Sequence, residues 1–178
     1  MARTPLGRIT DFSIDDIAIY HVDAESALRT YFSSLSPYFP VRFFGYSGSA
    51  LRTELDHRLE ETDLRSALAV LARLEAAFRT DYQQRCLRRR KDNISRAFRD
   101  LYRDRKLQVS LETEIFEVWR THSPTSPGII SELRGAFKFR HWLAHGRYWT
   151  PKLGRRYDYN DIYTLANITL GHFPLYGL

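Results

Sequence analysis

Cysteine is nearly absent: Cys86 stands alone in 178 residues, so no intrachain disulfide can form and nothing in the chain requires an oxidising compartment. No apolar stretch runs free of charge for the roughly 20 residues that a bilayer-spanning helix needs. Residues 1–10 carry no apolar core of a secretion signal, so the expectation is a soluble, cytoplasmic protein with no membrane partner. Internal repeats and low-complexity tracts are missing, which excludes solenoids. Few segments alternate polar and apolar residues as half-buried strands do, which disfavours sheet architectures. Lysine is scarce too, with 4 against 23 arginines.

Positive charge is what the chain has in excess. The formal net charge is +6 and the isoelectric point is near 9.6, a balance that concentrates polyanions such as nucleic acid near the surface. Guanidinium suits bidentate phosphate contact, although a composition bias towards arginine explains the same ratio without a ligand. The length fits a single domain over 1–178, large enough for a core without disulfides or metals, with 1–50 its less regular part.

Turn residues divide the chain into helical blocks. Residues 14–22 read as an entering helix or a short strand, with helix preferred, and a helix from about Ala24 to Leu35 ends at Ser36-Pro37. An aromatic, glycine-containing loop follows from Tyr38 to Ser49. A short charged helix is expected over Leu51 to Glu61. Asp63 then caps a long amphipathic helix carrying Leu64, Leu68, Leu71, Leu74, Ala77 and Phe78 on its apolar face. The basic run from Arg85 to Lys91 extends or ends it. Asp92 or Asn93 restarts a helix with Ile94, Ala97, Phe98, Leu101 and Tyr102 on one face, and Ser110 caps another over Leu111 to His122. After the break at Ser123 to Gly128, Ser126 as N-cap and Pro127 at the first position open a helix to about Trp149. Asp158 or Asn160 opens the last helix, with Ile162, Leu165, Ala166, Ile168 and Thr169. The fold class expected is an all-α helical bundle.

The sharpest feature is Phe139-Arg140-His141-Trp142-Leu143-Ala144-His145-Gly146, an arginine followed by a histidine five positions on. Spacing alone proves little, because Arg52 and His57 repeat it in a charged helix. Context separates the two. On a helical wheel Arg140 falls within the apolar arc of Ile129, Leu133, Phe137 and Ala144, where a charge is costly unless it is paired or functional. His145 lies about 140° around and about 7.5 Å along the axis from Arg140, so the two share a site only if Arg140 bends towards it. His141, one turn before His145, lies on its side of the helix.

At these residues the chain resembles the HEPN superfamily (higher eukaryotes and prokaryotes nucleotide-binding), whose mark is an arginine, often followed by a polar residue, then a histidine after four to six residues. Arg140, His141 and His145 match the motif over a helix within 126–149, with His141 where the family often has asparagine. Some toxin members carry a tyrosine two residues after the histidine; Arg147 stands there, followed by Tyr148. The resemblance implies an HEPN-like bundle forming a symmetric dimer that brings two motifs together and cleaves RNA without metal or cofactor. It also implies a toxin or antiphage role, with a nucleotidyltransferase-like antitoxin as one partner, or else a non-catalytic module that binds nucleic acid or a protein.

The residue types suit that chemistry. Attack of a ribose 2′-hydroxyl on the adjacent phosphate needs a proton acceptor, a proton donor and fixed positive charge. His145 supplies the first or second, Arg140 the third, and His141 or a second subunit what is missing. Arg147, Tyr148, Arg155 and Arg156, and the run Arg88, Arg89, Arg90 and Lys91, are candidate RNA contacts, with core packing and a solvated helix end as the alternatives. Two other readings stay open at the motif. His141 and His145, at i and i+4, have the spacing of metal ligands but lack a third ligand nearby. Arg140 can also be a structural ion-pair partner of Glu75, which in an active site would instead hold it in position.

Overall fold

The computed structural model describes residues 12–88, 90–124 and 127–177. Ser126 and Arg89, expected as an N-cap and an RNA contact, lie outside them. The described residues form seven α-helices and no strand: α1 Ile14–Tyr31, α2 Phe39–Arg42, α3 Gly48–Leu87, α4 Asn93–Arg105, α5 Phe116–His122, α6 Pro127–Ala144 and α7 Tyr159–His172. A π-helical turn, Leu111–Ile115, leads into α5. The fold is all-α, as expected. None of these helices is long and apolar enough to cross a membrane.

The chain divides into two compact units, Met1–Ser66 and Ala67–Leu178, with the boundary inside α3. In the first, α1 begins at a capping box: the Ser13 hydroxyl accepts from Asp16 N–H and the Asp16 carboxylate accepts from Ser13 N–H. The helix preferred over 14–22 and the one expected from about Ala24 are a single helix, which starts at Ile14 and ends at Tyr31, four residues earlier than expected. Phe32, at the end of α1, is buried against Phe43 of the aromatic segment that reads as a loop in sequence, with ring centres 4.6 Å apart. That segment contains α2, whose Arg42 pairs with Glu54 at 2.6 Å.

The largest departure from expectation is α3. It is one continuous helix of 40 residues where two were expected. Neither glycine nor proline occurs between Gly48 and Pro124, and i,i+4 pairs Arg58–Glu54 and Arg65–Glu61 support the charged stretch where the break was expected. Asp63 therefore sits inside the helix and caps nothing.

In the second unit, Leu71, Leu74, Ala77 and Phe78 of α3 are buried as the wheel predicts, while Leu68 is only half-buried. Phe78 meets Phe116 edge-on at 5.1 Å and Phe116 meets Phe137 of α6 at 5.6 Å. This row of rings fixes the apolar face of α6 against its neighbours. On the polar side Arg134 of α6 donates to Glu117 of α5 at 2.9 Å and to the Glu112 carbonyl at 3.2 Å. Asp92 caps α4 and Asp158 caps α7, each a residue expected for that task. The buried Arg85 guanidinium donates to Asp81 at 2.7 Å and to the Pro174 carbonyl at 2.8 Å, tying the C-terminal segment to α3.

Candidate active site at the end of α6

Helix α6 stops at Ala144, five residues before the expected end, and the stop shapes the site. Gly146 takes φ +82°, and Arg147 N–H reaches back to the Trp142 carbonyl at 3.2 Å, the six-to-one bond of a Schellman turn. Arg147 itself has φ +57°, a conformation unfavourable for a residue with a Cβ. Trp142 donates its indole N–H to the Trp149 carbonyl at 2.7 Å and so folds the following strip back over the helix end. His145 consequently sits exposed in the closing turn rather than inside a helix.

Arg140 lies one turn earlier and points elsewhere. Its Nη2 donates to Glu75 Oε2 of α3 at 3.0 Å; the two side chains are 33% and 21% exposed. Glu75 also accepts from Arg79 at 2.8 Å through its other oxygen, and Arg79 in turn donates to the Val109 carbonyl at 3.1 Å. The expected pairing of Arg140 with Glu75 is present, and this one carboxylate holds two guanidinium groups. Arg140 Nε is buried and has no hydrogen-bond partner among the described residues, an uncompensated donor of a kind that is rare in folded proteins.

These groups open on a cleft of about 220 Å³ whose polar lining includes Glu75, Arg79, Ser110, Glu112, Arg140 and His141. A second recess, of about 390 Å³, is lined by Glu112, His141, Lys138, Trp149 and Lys152 among others. His141 and Glu112 belong to both. The His141 ring also lies 4.2 Å, centre to centre, from that of His145. Arg140 and His145 therefore do not meet directly. His141 joins them, lining the Arg140 cleft on one side and touching His145 on the other.

Several contributors escape sequence reasoning. Ser110, Leu111 and Glu112 reach the cleft from the π-helical turn, where Ile115 N–H bonds to the Ser110 carbonyl five residues back. Such turns often occur at functional positions, and no periodicity in the sequence marks this one. Lys138 and Lys152 carry positive charge to the second recess.

The residues expected to contact RNA are dispersed. Tyr148 is 83% exposed beside Trp149, and Arg147 and Arg156 are exposed. Arg155 pairs with Asp161 at 3.0 Å and Glu132 at 3.4 Å and lies over the Tyr157 ring. Arg88 and Lys91 are exposed where α3 gives way to α4. Arg90 lies over Tyr176 and donates to its hydroxyl. None of these lines either recess at His141. The decoy pair Arg52 and His57 is exposed on α3. Comparison of the chain with family models, curated proteins and solved structures gives no match.

Proposed function

We propose that this chain is an HEPN-type, metal-independent endoribonuclease that cleaves RNA by 2′-hydroxyl transesterification, with Arg140, His141 and His145 at its centre. The observation that carries this reading is the convergence of Arg140 and His141 on one cleft with the His145 ring against His141. Arg140 lines that cleft, and its guanidinium, held in position by Glu75, is suited to donate to a phosphate oxygen there.

The step balances without a co-reactant. An imidazole takes the 2′-hydroxyl proton as O2′ bonds to phosphorus. The P–O5′ bond then breaks and O5′ takes a proton from an imidazolium, leaving a 2′,3′-cyclic phosphate and a 5′-hydroxyl. Arg140 stabilises the charge on the phosphorane oxygens. His141 and His145 stand together on one side, whereas the entering and leaving oxygens lie on opposite sides of phosphorus. A symmetric dimer, with a second copy of the motif across the cleft, completes the pair. The setting the motif implies is a toxin or antiphage effector, with a nucleotidyltransferase-like antitoxin as a candidate partner.

One observation favours a second reading. Arg140 already has a carboxylate partner, which suits a structural pair in a non-catalytic module that binds nucleic acid or a protein. Purified protein and His145→Ala, incubated with generic single-stranded RNA, separate the two. The ribonuclease reading expects cleavage that falls by about 10²-fold or more in the variant with the fold intact. RNA binding without cleavage in either protein supports the module.

A further inference from the structure

Away from the α6 motif, the first unit holds a constellation that the ribonuclease reading leaves unused. His21 and Glu25 stand at i and i+4 on α1, and Asp63 and Ser66 at i and i+3 on α3, each pair on one helix face. One ligand atom from each of His21, Glu25 and Asp63 lies within 4.8 Å of the other two. His21 is only 8% exposed. Its Nδ1 lies 3.1 Å from Ser66 Oγ and its Nε2 lies 3.6 Å from Asp63 Oδ1. With the Nδ1 proton given to the serine hydroxyl, the Nε2 lone pair is left on the side of Asp63, 3.6 Å away. This is how a metal-binding histidine is oriented by a hydrogen bond from its other nitrogen.

We propose that His21, Glu25 and Asp63 form a binding site for a divalent first-row transition ion such as Zn²⁺, fastening α1 to α3 within the first unit. One imidazole and two carboxylates make a three-ligand set that leaves positions for water. The imidazole selects against Mg²⁺ and Ca²⁺, which prefer oxygen alone. Ligands about 2 Å from a tetrahedral centre stand about 3.3 Å apart. The observed spacing closes to that by rotamer adjustment of Glu25 and Asp63, both partly exposed. Glu25 gives up only a loose contact with Arg29, at 3.8 Å on the surface. None of these residues enters the ribonuclease chemistry, so either proposal can fail without the other.

The test is Zn²⁺ titration of the chelator-stripped full chain by calorimetry, followed by melting with and without the ion. Because the His141 and His145 rings are a rival imidazole pair, His141→Ala/His145→Ala serves as the control background. One equivalent of Zn²⁺ should bind in that background and raise the melting temperature, since an ion bound only by the folded state stabilises it. Glu25→Gln and Asp63→Asn should each weaken binding by about tenfold or more, and Ser66→Ala, which only orients the ring, by about tenfold. Mg²⁺ should produce no shift. Zn²⁺ affinity unchanged in both carboxylate variants, loss of binding in the His141→Ala/His145→Ala background, or no binding to the unsubstituted chain would each overturn the proposal. Should Asp63→Asn fail to fold, Glu25→Gln, at a partly exposed position, decides alone.

Discussion

The His141 ring stands 4.2 Å from the His145 ring and lines the cleft into which Arg140 projects, so the residue between the two motif positions is the one that connects them. On the proposed reading His141 assists the chemistry of its two neighbours. His145→Ala and His141→Ala should both depress RNA cleavage, the first by about 10²-fold or more and the second by less. Arg140→Lys keeps the charge but loses the planar fork. It should lower the rate while leaving most ground-state affinity, read as a fall in kcat larger than the rise in KM. Arg52→Ala and His57→Ala, at the exposed decoy, should leave both constants unchanged. An equal loss in the decoy variants would show that the assay reports stability rather than chemistry.

The seat of α6 depends on a close approach at Gly135. A Cβ there would overlap the hydroxyl oxygen of buried Tyr157, whose ring stacks on Phe139. Gly135→Ala should therefore destabilise the protein by about 1–3 kcal/mol despite alanine's higher helix propensity. Tyr157→Phe removes the clashing atom and leaves the ring carbon at an ordinary 3.5 Å. The double variant should recover the urea midpoint, and failure to recover would place the clash elsewhere.

Much of this arrangement is legible in the sequence, and what is not has identifiable causes. Asp92, Ser110 and Asp158 act as caps because their short polar side chains compete well for exposed backbone N–H groups. Arg140 on the apolar arc of α6 already points to a paired guanidinium, and Glu75 is its partner. The early end of α6 is written in Gly146, the natural left-handed residue of a Schellman turn, but the aromatic pair Tyr148 and Trp149 just beyond it masks the stop. The π-helical turn has no local signature, since one extra residue in a ladder leaves residue types unchanged. Asp63 reads as a cap because nothing local distinguishes a capping aspartate from one that faces a histidine on another helix. That distinction lies in tertiary structure.

Glu117 ties the motif helix to α5 and sets an acid-sensitive contact. Hydrogen bonds from Arg120, then from Arg134, hold its carboxyl down to about 2, below its ordinary 4.5. A carboxylate with a depressed folded pKa contributes stability above its ordinary value and loses it as pH falls towards the folded value. Glu117→Gln should therefore show a flatter melting temperature than the unsubstituted protein between pH 4.5 and 2, the window set by that shift. An identical acid limb in both proteins would mean that solvent screens the pair fully.

Cys86 should be a poor nucleophile despite being partly exposed. Burial pushes its thiol up to about 11, against a smaller opposing pull from Arg99, and its Sγ lies 3.4 Å from the Phe98 carbonyl as a donor. Less thiolate at neutral pH outweighs the greater nucleophilicity of a more basic sulfur. Alkylation by iodoacetamide should thus run about tenfold or more slower than for a free cysteine. A rate equal to the free thiol in folded protein would contradict the burial.

A short RNA carrying one 2′-deoxy nucleotide at the mapped cleavage position decides whether a ribose hydroxyl is the nucleophile at the proposed Arg140, His141 and His145 site. Cleavage should stop at that bond alone, and the all-ribose substrate should yield fragments ending in a 2′,3′-cyclic phosphate. Cleavage of the deoxy bond at an undiminished rate would make water the nucleophile and contradict the assignment.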